Sequence, residues 1–465
     1  MRTVTELAAR LQALHARTAE TPLFNPVFQL SLDLSRLLEA GELTLDHCEA
    51  LIAELECDAL QSRAARLHRL VAPVDPAANG DALHTALAEP DFERFRARWE
   101  HPLLHAVFTA HPTFLLTPAQ SEAVARAAGA GRIDGAVCTV PVERPAITLE
   151  HEHGQAMRAL AHAQDARDAI VGRVLDHARR QWPDRWSELR PLPFRFASWV
   201  GYDMDGRTDI GWAQSIGFRL AEKAARLARY VASLEAIDPA HSLLGKLRGV
   251  ADFAAERAQD FAAELSEPAA LSDAANRLTA DDPRKLLSLS GYIEALEEEA
   301  ASAATQRAIA LKSLAAAMRA DGLGMGWIHF RVNAKQLHNA IRRRLDPEDG
   351  LDLATKGAVV RLRKAIADVR PLRANFAALA VESSTANRQF LAMAQILHHI
   401  DADAPIRMLV AECEEPATVL AALYFARLFG IADKVDVSPL FETEQALEHG
   451  GRFLEGLLAE EEYRT

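Results

Sequence analysis

Three short runs of mainly apolar, β-forming residues late in the chain constrain its fold most. They are WIHFRV, PIRMLVAE and KVDVSPLFE, in which we place strands at 327–332, 405–411 and 434–440. Helical patterns separate these runs, and an apolar strand followed by a helix and another apolar strand is typical of a parallel sheet. A closed α/β barrel takes eight strands and about 250 residues. The pattern therefore predicts three parallel strands, either in a small open sheet or in a barrel that is cut short.

The chain before Gly326 has the periodicity of helices. Apolar residues recur there at spacings of three and four, which is typical of amphipathic helices, in the segments 28–57, 150–181, 211–236, 243–266 and 283–320. We therefore expect a mainly helical protein. Residues 1–320 would form a predominantly helical region, and residues 321–465, with about three strands, would form either a small open sheet or the start of an incomplete, TIM-like α/β barrel.

Charge and composition exclude several classes of function. The chain has 65 acidic and 52 basic residues and a net charge of −13, whereas a general affinity for nucleic acid needs a basic face. No run approaches the ~18 apolar residues of a membrane span, and the first residues are charged throughout, unlike a signal peptide. We therefore expect no nucleic-acid or membrane partner and a cytoplasmic location. The four scattered cysteines would then be reduced, buried thiols.

His111 is the first candidate for chemistry. It lies in Phe-Thr-Ala-His-Pro-Thr at 108–113, where Pro112 disfavours helix for the residue before it and presents the imidazole at a break. A histidine held in this way can transfer a proton or contact an anion. The residues alone also allow a histidine at the end of a helix that is bonded to a backbone carbonyl.

A second unusual loop, SWVGYDMDGRTD at 198–209, combines Trp199 with three aspartates and Arg207. Its carboxylates superficially suggest a calcium loop. The EF-hand pattern, however, needs three carboxylate or amide residues at alternate positions before its glycine, and a glutamate at position twelve. Only two aspartates, Asp203 and Asp205, precede the glycine in this way. We therefore do not expect calcium in this loop.

Arg331 and Glu442 are candidates on predicted strands. A buried strand seldom holds an arginine without an anionic partner, so Arg331 forms either a structural salt bridge or a fork that holds phosphate or carboxylate. Glu442 closes the last predicted strand, at the end of a parallel strand where α/β folds place ligands. It could hold Mg²⁺ together with water and substrate, or serve as a charge at the N-terminus of the next helix.

These motifs together resemble phosphoenolpyruvate carboxylase, the lyase that joins bicarbonate to phosphoenolpyruvate. The resemblance rests on Thr-Ala-His-Pro-Thr around His111, the tryptophan loop, the strand with Arg331, and Pro-Leu-Phe-Glu-Thr at 439–443. Within the loop, Tyr202 replaces a glycine of the family and Met204 replaces an arginine. Because the four motifs run from residue 109 to residue 443, the resemblance extends over most of the chain.

The resemblance implies a role for each candidate residue. Bicarbonate would attack the phosphate to give carboxyphosphate and the pyruvate enolate, and the enolate would then capture carbon dioxide to give oxaloacetate and phosphate. His111 would be catalytic in the carboxylation step, and Arg331 would bind the phosphoryl group. Trp199 and Leu440 would wall the methylene carbon of the substrate, and Glu442 would bind Mg²⁺ or Mn²⁺. The complete enzyme would be a homo-oligomer, a tetramer.

The resemblance extends only to the N-terminal half of such an enzyme. The sequence lacks the family's Gly-Tyr-Ser-Asp-Ser stretch, with its second metal carboxylate and catalytic lysine, and also its Arg-Gly-Gly loop. We therefore expect the chain to be inactive alone. Three interpretations stay open: the N-terminal half of a carboxylase, one half of a split carboxylase that needs a separate C-terminal chain, and a non-catalytic helical binding or regulatory protein.

Overall fold

Helices predominate in the structure, a computed structural model that describes residues 3–19, 21, 24–71, 76–109, 116–140, 146–205, 210–262, 265, 267–346 and 351–464. In chain order they are α1 (Val4–Ala16), α2 (Pro26–Glu39), α3 (Leu45–Val71), α4 (Pro76–Leu87), α5 (Phe92–Glu100), α6 (Pro118–Ala130), α7 (Leu149–Gln181), α8 (Trp212–Ile237), α9 (Leu244–Ala262), α10 (Pro268–Thr279), α11 (Ser290–Ser302), α12 (Thr305–Asp321), α13 (Ala334–Leu345), α14 (Lys356–Asp368), α15 (Phe376–Val381), α16 (Thr385–His399), α17 (Pro416–Leu428), α18 (Glu444–Ala459) and α19 (Glu461–Arg464). None of the helices in these ranges combines the length and the apolarity that a membrane crossing requires.

One parallel sheet joins five strands in the order in which they follow one another in the chain. The strands are β1 (Leu104–Phe108), β2 (Phe194–Ser198), β3 (Trp327–Asn333), β4 (Ile406–Ala411) and β5 (Val435–Pro439). Every neighbouring pair is parallel, and helices lie between consecutive strands. Because all five strands run the same way, their carboxyl ends meet at one edge of the sheet.

The three strands predicted from sequence are confirmed as β3, β4 and β5, but the predicted count of three was too small. The structure adds β1 and β2, which lie in the region that we expected to be helical. Both are only five residues long, and their sequences, LHAVF and FRFAS, contain histidine, arginine and serine. They therefore lack the continuous apolar run by which a buried parallel strand is recognised. The incomplete barrel itself stays a prediction. The sequential order of the five strands is compatible with it.

The two faces of the sheet differ in chemistry. On β3, the alternate residues Ile328, Phe330 and Val332 are at most 2% exposed and join the core formed with the helices, including α16 and α17. Phe196 of β2 packs in the same manner beside Leu160 of α7. Burial of each such side chain contributes roughly 1.5–3 kcal/mol. The opposite face carries Trp327, His329 and Arg331 on β3, because side chains alternate along a strand.

The chain divides into two compact units. The first comprises residues 1–88 and 111–146, and the second comprises residues 89–110 and 147–465, which include the sheet. In the first unit α3 packs against α6 around Leu60 and Val124. The division that we predicted at residue 320 separates a mainly helical region from an α/β region, whereas these two units are separated by their compactness. The predicted division therefore stays a prediction.

A disulfide in the first unit corrects the expectation of reduced thiols. Cys57 of α3 is bonded to Cys138, 81 residues later in the chain. Cys48 and Cys413 are free, and only Cys413 is buried. Nothing in the cysteine spacing indicated this pair, because it depends on how α3 packs against the segment after α6.

A set of buried ion pairs joins the helices of the second unit. The guanidinium of Arg167 on α7 donates to both carboxylate oxygens of Asp321, at 2.7 Å each. Arg226 on α8 pairs with the same carboxylate, and all three side chains are at most 2% exposed. Burial by itself would raise the pKa of Asp321, but the charges of Arg226 and Arg167 outweigh it and lower that pKa.

Candidate functional site

The carboxyl edge of the sheet gathers most of the residues that the sequence singled out. β2 leads into the segment 199–205, β3 ends at Asn333, β4 leads into Glu412, and β5 leads into Leu440 and Glu442. This is the edge at which open and closed α/β folds place their ligands. The five strands thus position one set of polar side chains from separate parts of the chain.

Arg331 and Glu442 form an ion pair at this edge. The Arg331 Nη2 donates to Oε1 of Glu442 at 2.6 Å, and the two side chains are 33% and 36% exposed. The second oxygen, Oε2, accepts the backbone N–H of Glu412 at 3.3 Å. Glu412 has a φ of 52°, a left-handed conformation that costs free energy in a residue other than glycine. The end of β4 is therefore held in a strained shape beside the glutamate that closes β5.

The segment after β2 approaches the same arginine. Asp203 and Arg331 form an isolated parallel β-bridge, and Oδ2 of Asp205 lies 4.0 Å from Nε of Arg331. Desolvation raises the pKa of Asp205, although the charge of Arg331 and a hydrogen bond from Asn333 oppose this shift. Arg331 therefore lies between two carboxylates, one from the loop after β2 and one from the end of β5.

Trp199 begins a tight turn that depends on a glycine. Its carbonyl oxygen accepts the N–H groups of Tyr202 at 2.9 Å and Asp203 at 3.2 Å. Gly201 has a φ of 90°, and a Cβ at this position would lie 2.6 Å from the ring of Phe218. Both the backbone conformation and the close ring therefore require glycine here. This turn fixes the backbone of the half-buried Trp199 at the carboxyl end of β2.

Tyr202 anchors the turn to a buried cluster that the sequence analysis missed. Its hydroxyl donates to Oε1 of Glu222 at 2.9 Å, and the same oxygen contacts Nε2 of His153 at 2.9 Å. Arg219 donates to the other oxygen of Glu222 at 3.1 Å and to Asp401 at 2.6 Å. Burial raises the pKa of Tyr202 well above its usual value, so the phenol stays protonated and donates. Tyr202 was noted only as a departure from a family glycine.

Leu440 continues the pairing of β5 with β4 beyond the sheet. Its N–H donates to the carbonyl of Val410 at 2.9 Å, and its carbonyl accepts from the N–H of Cys413 at 3.2 Å. Thr443 caps α18 by accepting the N–H of Ala446 at 3.1 Å, and it donates to Glu414 at 2.7 Å. The Pro-Leu-Phe-Glu-Thr motif is therefore a rigid strand-to-helix junction.

The structure thus brings Arg331 and Glu442 into contact, and it places Trp199 and Leu440 at the same edge. His111 lies outside the described residues. No group of three or more histidine, cysteine, aspartate or glutamate side chains suited to a metal ion occurs within the described ranges. At this edge, the described part of the chain offers one arginine among carboxylates, of which Glu442, three residues after the end of β5, is exposed.

Comparisons with known proteins agree with the resemblance found in the motifs. Residues 285–465 match the family model of phosphoenolpyruvate carboxylase. A curated phosphoenolpyruvate carboxylase from Xanthomonas campestris pv. campestris is 25% identical over 412 residues, which cover 77% of this chain and 45% of that relative. The chain therefore spans about half the length of the curated relative it matches.

The residues inside the family match include Arg331, Leu440 and Glu442, whereas His111 and Trp199 precede it. The β3, β4 and β5 strands, with the ion pair at their carboxyl ends, all fall within the matched segment. The predicted resemblance is thereby confirmed: residues 285–465 are similar to the phosphoenolpyruvate carboxylase family, and most of the chain is distantly similar to 45% of the length of one of its members.

Proposed function

We propose that the carboxyl edge of the sheet is part of a phosphoenolpyruvate carboxylase site, which converts phosphoenolpyruvate and bicarbonate into oxaloacetate and phosphate. The observation that carries this proposal is the Arg331–Glu442 pair, which lies at the ends of β3 and β5 inside the family-matched segment. In the family's chemistry both substrates are anions. A site for them needs a cation that can leave its protein partner.

Arg331 meets this need by its exposure and its geometry. Its guanidinium is one-third exposed and donates to Glu442 through one nitrogen, Nη2. The planar fork of an arginine binds phosphate oxygens in pairs. A phosphoryl group could therefore replace the glutamate without leaving a buried charge uncompensated.

Trp199 and Leu440 complete the proposed substrate pocket. Apolar walls beside the substrate exclude water, which would otherwise hydrolyse carboxyphosphate or protonate the enolate. The turn at Gly201 and the pairing of Leu440 with β4 hold these two side chains on rigid elements. His111 is proposed as the proton-transferring group of the carboxylation step, from its place in the Thr-Ala-His-Pro-Thr motif.

The divalent metal of the family is proposed with Glu442 as one of its ligands. A single exposed carboxylate supplies one hard oxygen donor, whereas Mg²⁺ requires octahedral coordination that is completed by water, substrate and usually a second carboxylate. The described residues do not assemble such a set, so we derive no reaction step through the metal.

A cytoplasmic location and a homo-oligomeric state stay part of the proposal. The disulfide between Cys57 and Cys138 is unusual for a cytosolic protein, in which thiols are kept reduced. Measurement of free thiols in protein from freshly lysed cells, with and without reductant, would report which state the chain has in its own compartment.

Binding of phosphoenolpyruvate tests the substrate assignment without turnover. We expect Arg331→Gln to weaken binding at least about tenfold in isothermal titration, because charged hydrogen bonds contribute roughly 1.5–3 kcal/mol. Lys335→Gln is the matched control, since Lys335 is a mostly exposed cation at the same edge, 3.9 Å from Glu412. Equal affinity in Arg331→Gln and wild type would contradict the assignment.

Catalysis is tested by adding the part of the carboxylase that this chain does not match. The chain alone should release no phosphate in a bicarbonate-dependent manner. Addition of the remaining portion of the Xanthomonas relative should restore oxaloacetate formation, and His111→Asn should then stop it. Steady oxaloacetate production by the chain alone would refute the expectation that the chain is inactive by itself.

A further inference from the structure

A layer of polar side chains crosses the face of the sheet that is turned away from the helices. Each strand contributes one member: His105 from β1, Arg195 from β2, His329 from β3, Arg407 from β4 and Asp436 from β5. The register aligns two groups of them: His105 lies opposite Arg195, and His329 lies opposite Arg407, which lies opposite Asp436. Between β2 and β3 the pairing of Ala197 with Trp327 places all of these side chains on the same face. Parallel sheets usually carry apolar residues on both faces, so this polar layer calls for an explanation.

Trp327 lies among the members of the layer and contacts three of them. The rings of His105 and His329 stack with centroids 5.6 Å apart, and His105 meets the indole of Trp327 edge-on at 5.6 Å. The guanidinium carbons of Arg195 and Arg407 lie 5.3 Å and 5.2 Å from the centroid of the same indole. Two cations and one imidazole are therefore held around one aromatic ring, and the second imidazole stacks on the first.

Negative charge is scarce in this layer. Asp436 contacts Arg407 at 3.2 Å, but its side chain is 58% exposed. Among the described residues no carboxylate pairs with Arg195. The Nε2 atoms of His105 and His329 and the Nε of Arg407 are buried, and no group in the described part of the chain bonds to them. Buried polar atoms are nearly always hydrogen-bonded, so three such atoms together indicate a site for a polar ligand.

The electrostatics of the layer have the sign that an anion requires. Burial, with the charge of Arg407 and then His105, lowers the pKa of His329 to about 4. Burial, Arg407 and Arg195 also lower the pKa of His105. Both imidazoles are therefore neutral near pH 7, and each can donate one N–H to an oxyanion while the arginines supply the charge.

We propose that His105, Arg195, His329 and Arg407 bind a small dianion, of the phosphate, sulfate or dicarboxylate class. His329 is two residues before Arg331 on the same face of β3, so the site lies about 7 Å from the substrate-binding arginine along the strand. The exposed side of Arg407 and Asp436 gives access to it. The proposal does not depend on the carboxylase assignment, because anion binding by the layer needs neither turnover nor Glu442.

Sulfate is the first probe, because its charge does not change between pH 5 and 8. With isotope-labelled histidine, saturable shifts of the His105 and His329 resonances are expected, each assigned by its His→Gln variant. Arg407→Gln should weaken sulfate binding at least about tenfold. The affinity should rise as the pH falls from 8 to 5, because a bound dianion favours the protonated imidazoles. Malonate is the second probe and distinguishes a dicarboxylate from a tetrahedral oxyanion.

Two controls keep the outcome decisive. Arg452→Gln removes an exposed arginine on α18 and should leave sulfate binding unchanged, and circular dichroism should show that every variant is folded. Arg331→Gln should weaken phosphoenolpyruvate binding but not the sulfate shifts, so a failure of one proposal is distinguishable from a failure of the other. Unchanged sulfate affinity in Arg407→Gln, or no saturable shift with either probe, would overturn the proposal.

Discussion

Two sets of arginine–carboxylate pairs in the second unit share the same chemistry but differ in their surroundings. Arg167 and Arg226 share Asp321 in the helical core, where the three side chains are at most 2% exposed. Arg331 and Glu442 meet at the carboxyl edge of the sheet, where each side chain is about one-third exposed. The buried pairs cannot change partners without leaving a charge in a medium of low dielectric constant. The exposed pair can, because water or a ligand can replace either partner at little cost.

The difference separates a structural role from a functional one. The helical pairs fix the mutual positions of α7, α8 and α12, and the cluster around Glu222 extends this rigid region to Tyr202 at the edge of the candidate site. The Arg331–Glu442 pair therefore stands on a rigid support although it is itself replaceable. A site that must bind an anion repeatedly needs both properties.

Replacement of Asp321 by asparagine should have the largest effect on stability. It leaves Arg226 buried beside a neutral amide, whereas Arg167 keeps its pair with Asp168 at 2.7 Å, and an uncompensated buried charge typically costs about 3–5 kcal/mol. Urea denaturation followed by circular dichroism measures the change in the free energy of unfolding. Asp165→Asn is the matched control, because it removes an ion pair between α7 and α8 at the surface. The Asp165 side chain is 66% exposed and pairs with Arg229. Equal losses in both variants would show that burial does not distinguish these pairs.

Lys223 sharpens the comparison, because it is buried without a carboxylate bonded to its ammonium group. Its Nζ donates to the carbonyls of Leu286 and Ile400, and burial lowers its pKa to about 7. In the unfolded chain this pKa is about 10.4, so between pH 7 and 10 the unfolded state binds a proton that the folded state does not. The free energy of unfolding should therefore rise with pH across this window, by up to about 1.4 kcal/mol per pH unit.

The Lys223→Met variant tests this assignment. It should remove that part of the pH dependence and leave the stability near pH 10 close to that of the wild type. The measurement is a series of urea denaturations between pH 7 and 10. A wild-type slope that persists in the methionine variant would place its origin elsewhere.

Tyr202→Phe should have an intermediate effect. It removes one hydrogen bond to buried Glu222, which keeps its contacts with His153 and Arg219, so we expect a loss of about 1–2 kcal/mol. Tyr463→Phe is the control, because its hydroxyl donates at 3.0 Å to the carbonyl of Val437 in a partly exposed setting. Since Tyr202 fixes the turn that begins at Trp199, the variant should also weaken phosphoenolpyruvate binding. Unchanged stability and binding would remove Tyr202 from the support of the site.

The sequence predicted those features that depend on local pattern. Apolar runs located β3, β4 and β5, and a charged residue at a strand end was enough to single out Arg331 and Glu442. Their mutual contact could not be predicted, because it depends on the register that brings strands 111 residues apart to one edge. The Tyr202–Glu222 bond and the Cys57–Cys138 disulfide were missed for the same reason. β1 and β2 were missed because His105 and Arg195, members of the polar layer, interrupt the apolar pattern of those strands.

Glu442→Gln should have the smallest effect on stability, within about 1 kcal/mol, because exposed ion pairs contribute little. Its effect on ligands should be larger and should depend on metal. Without metal, loss of the competing carboxylate should strengthen phosphoenolpyruvate binding to Arg331. With Mn²⁺, the wild-type chain should gain affinity for phosphoenolpyruvate and the variant should not, because one oxygen ligand is gone. Glu444→Gln, in the first turn of α18, is the control for general charge effects. Weaker metal-free binding in Glu442→Gln than in wild type would mean that the glutamate orients the arginine instead of competing for it, and the comparison with the buried pairs would then fail at its central point.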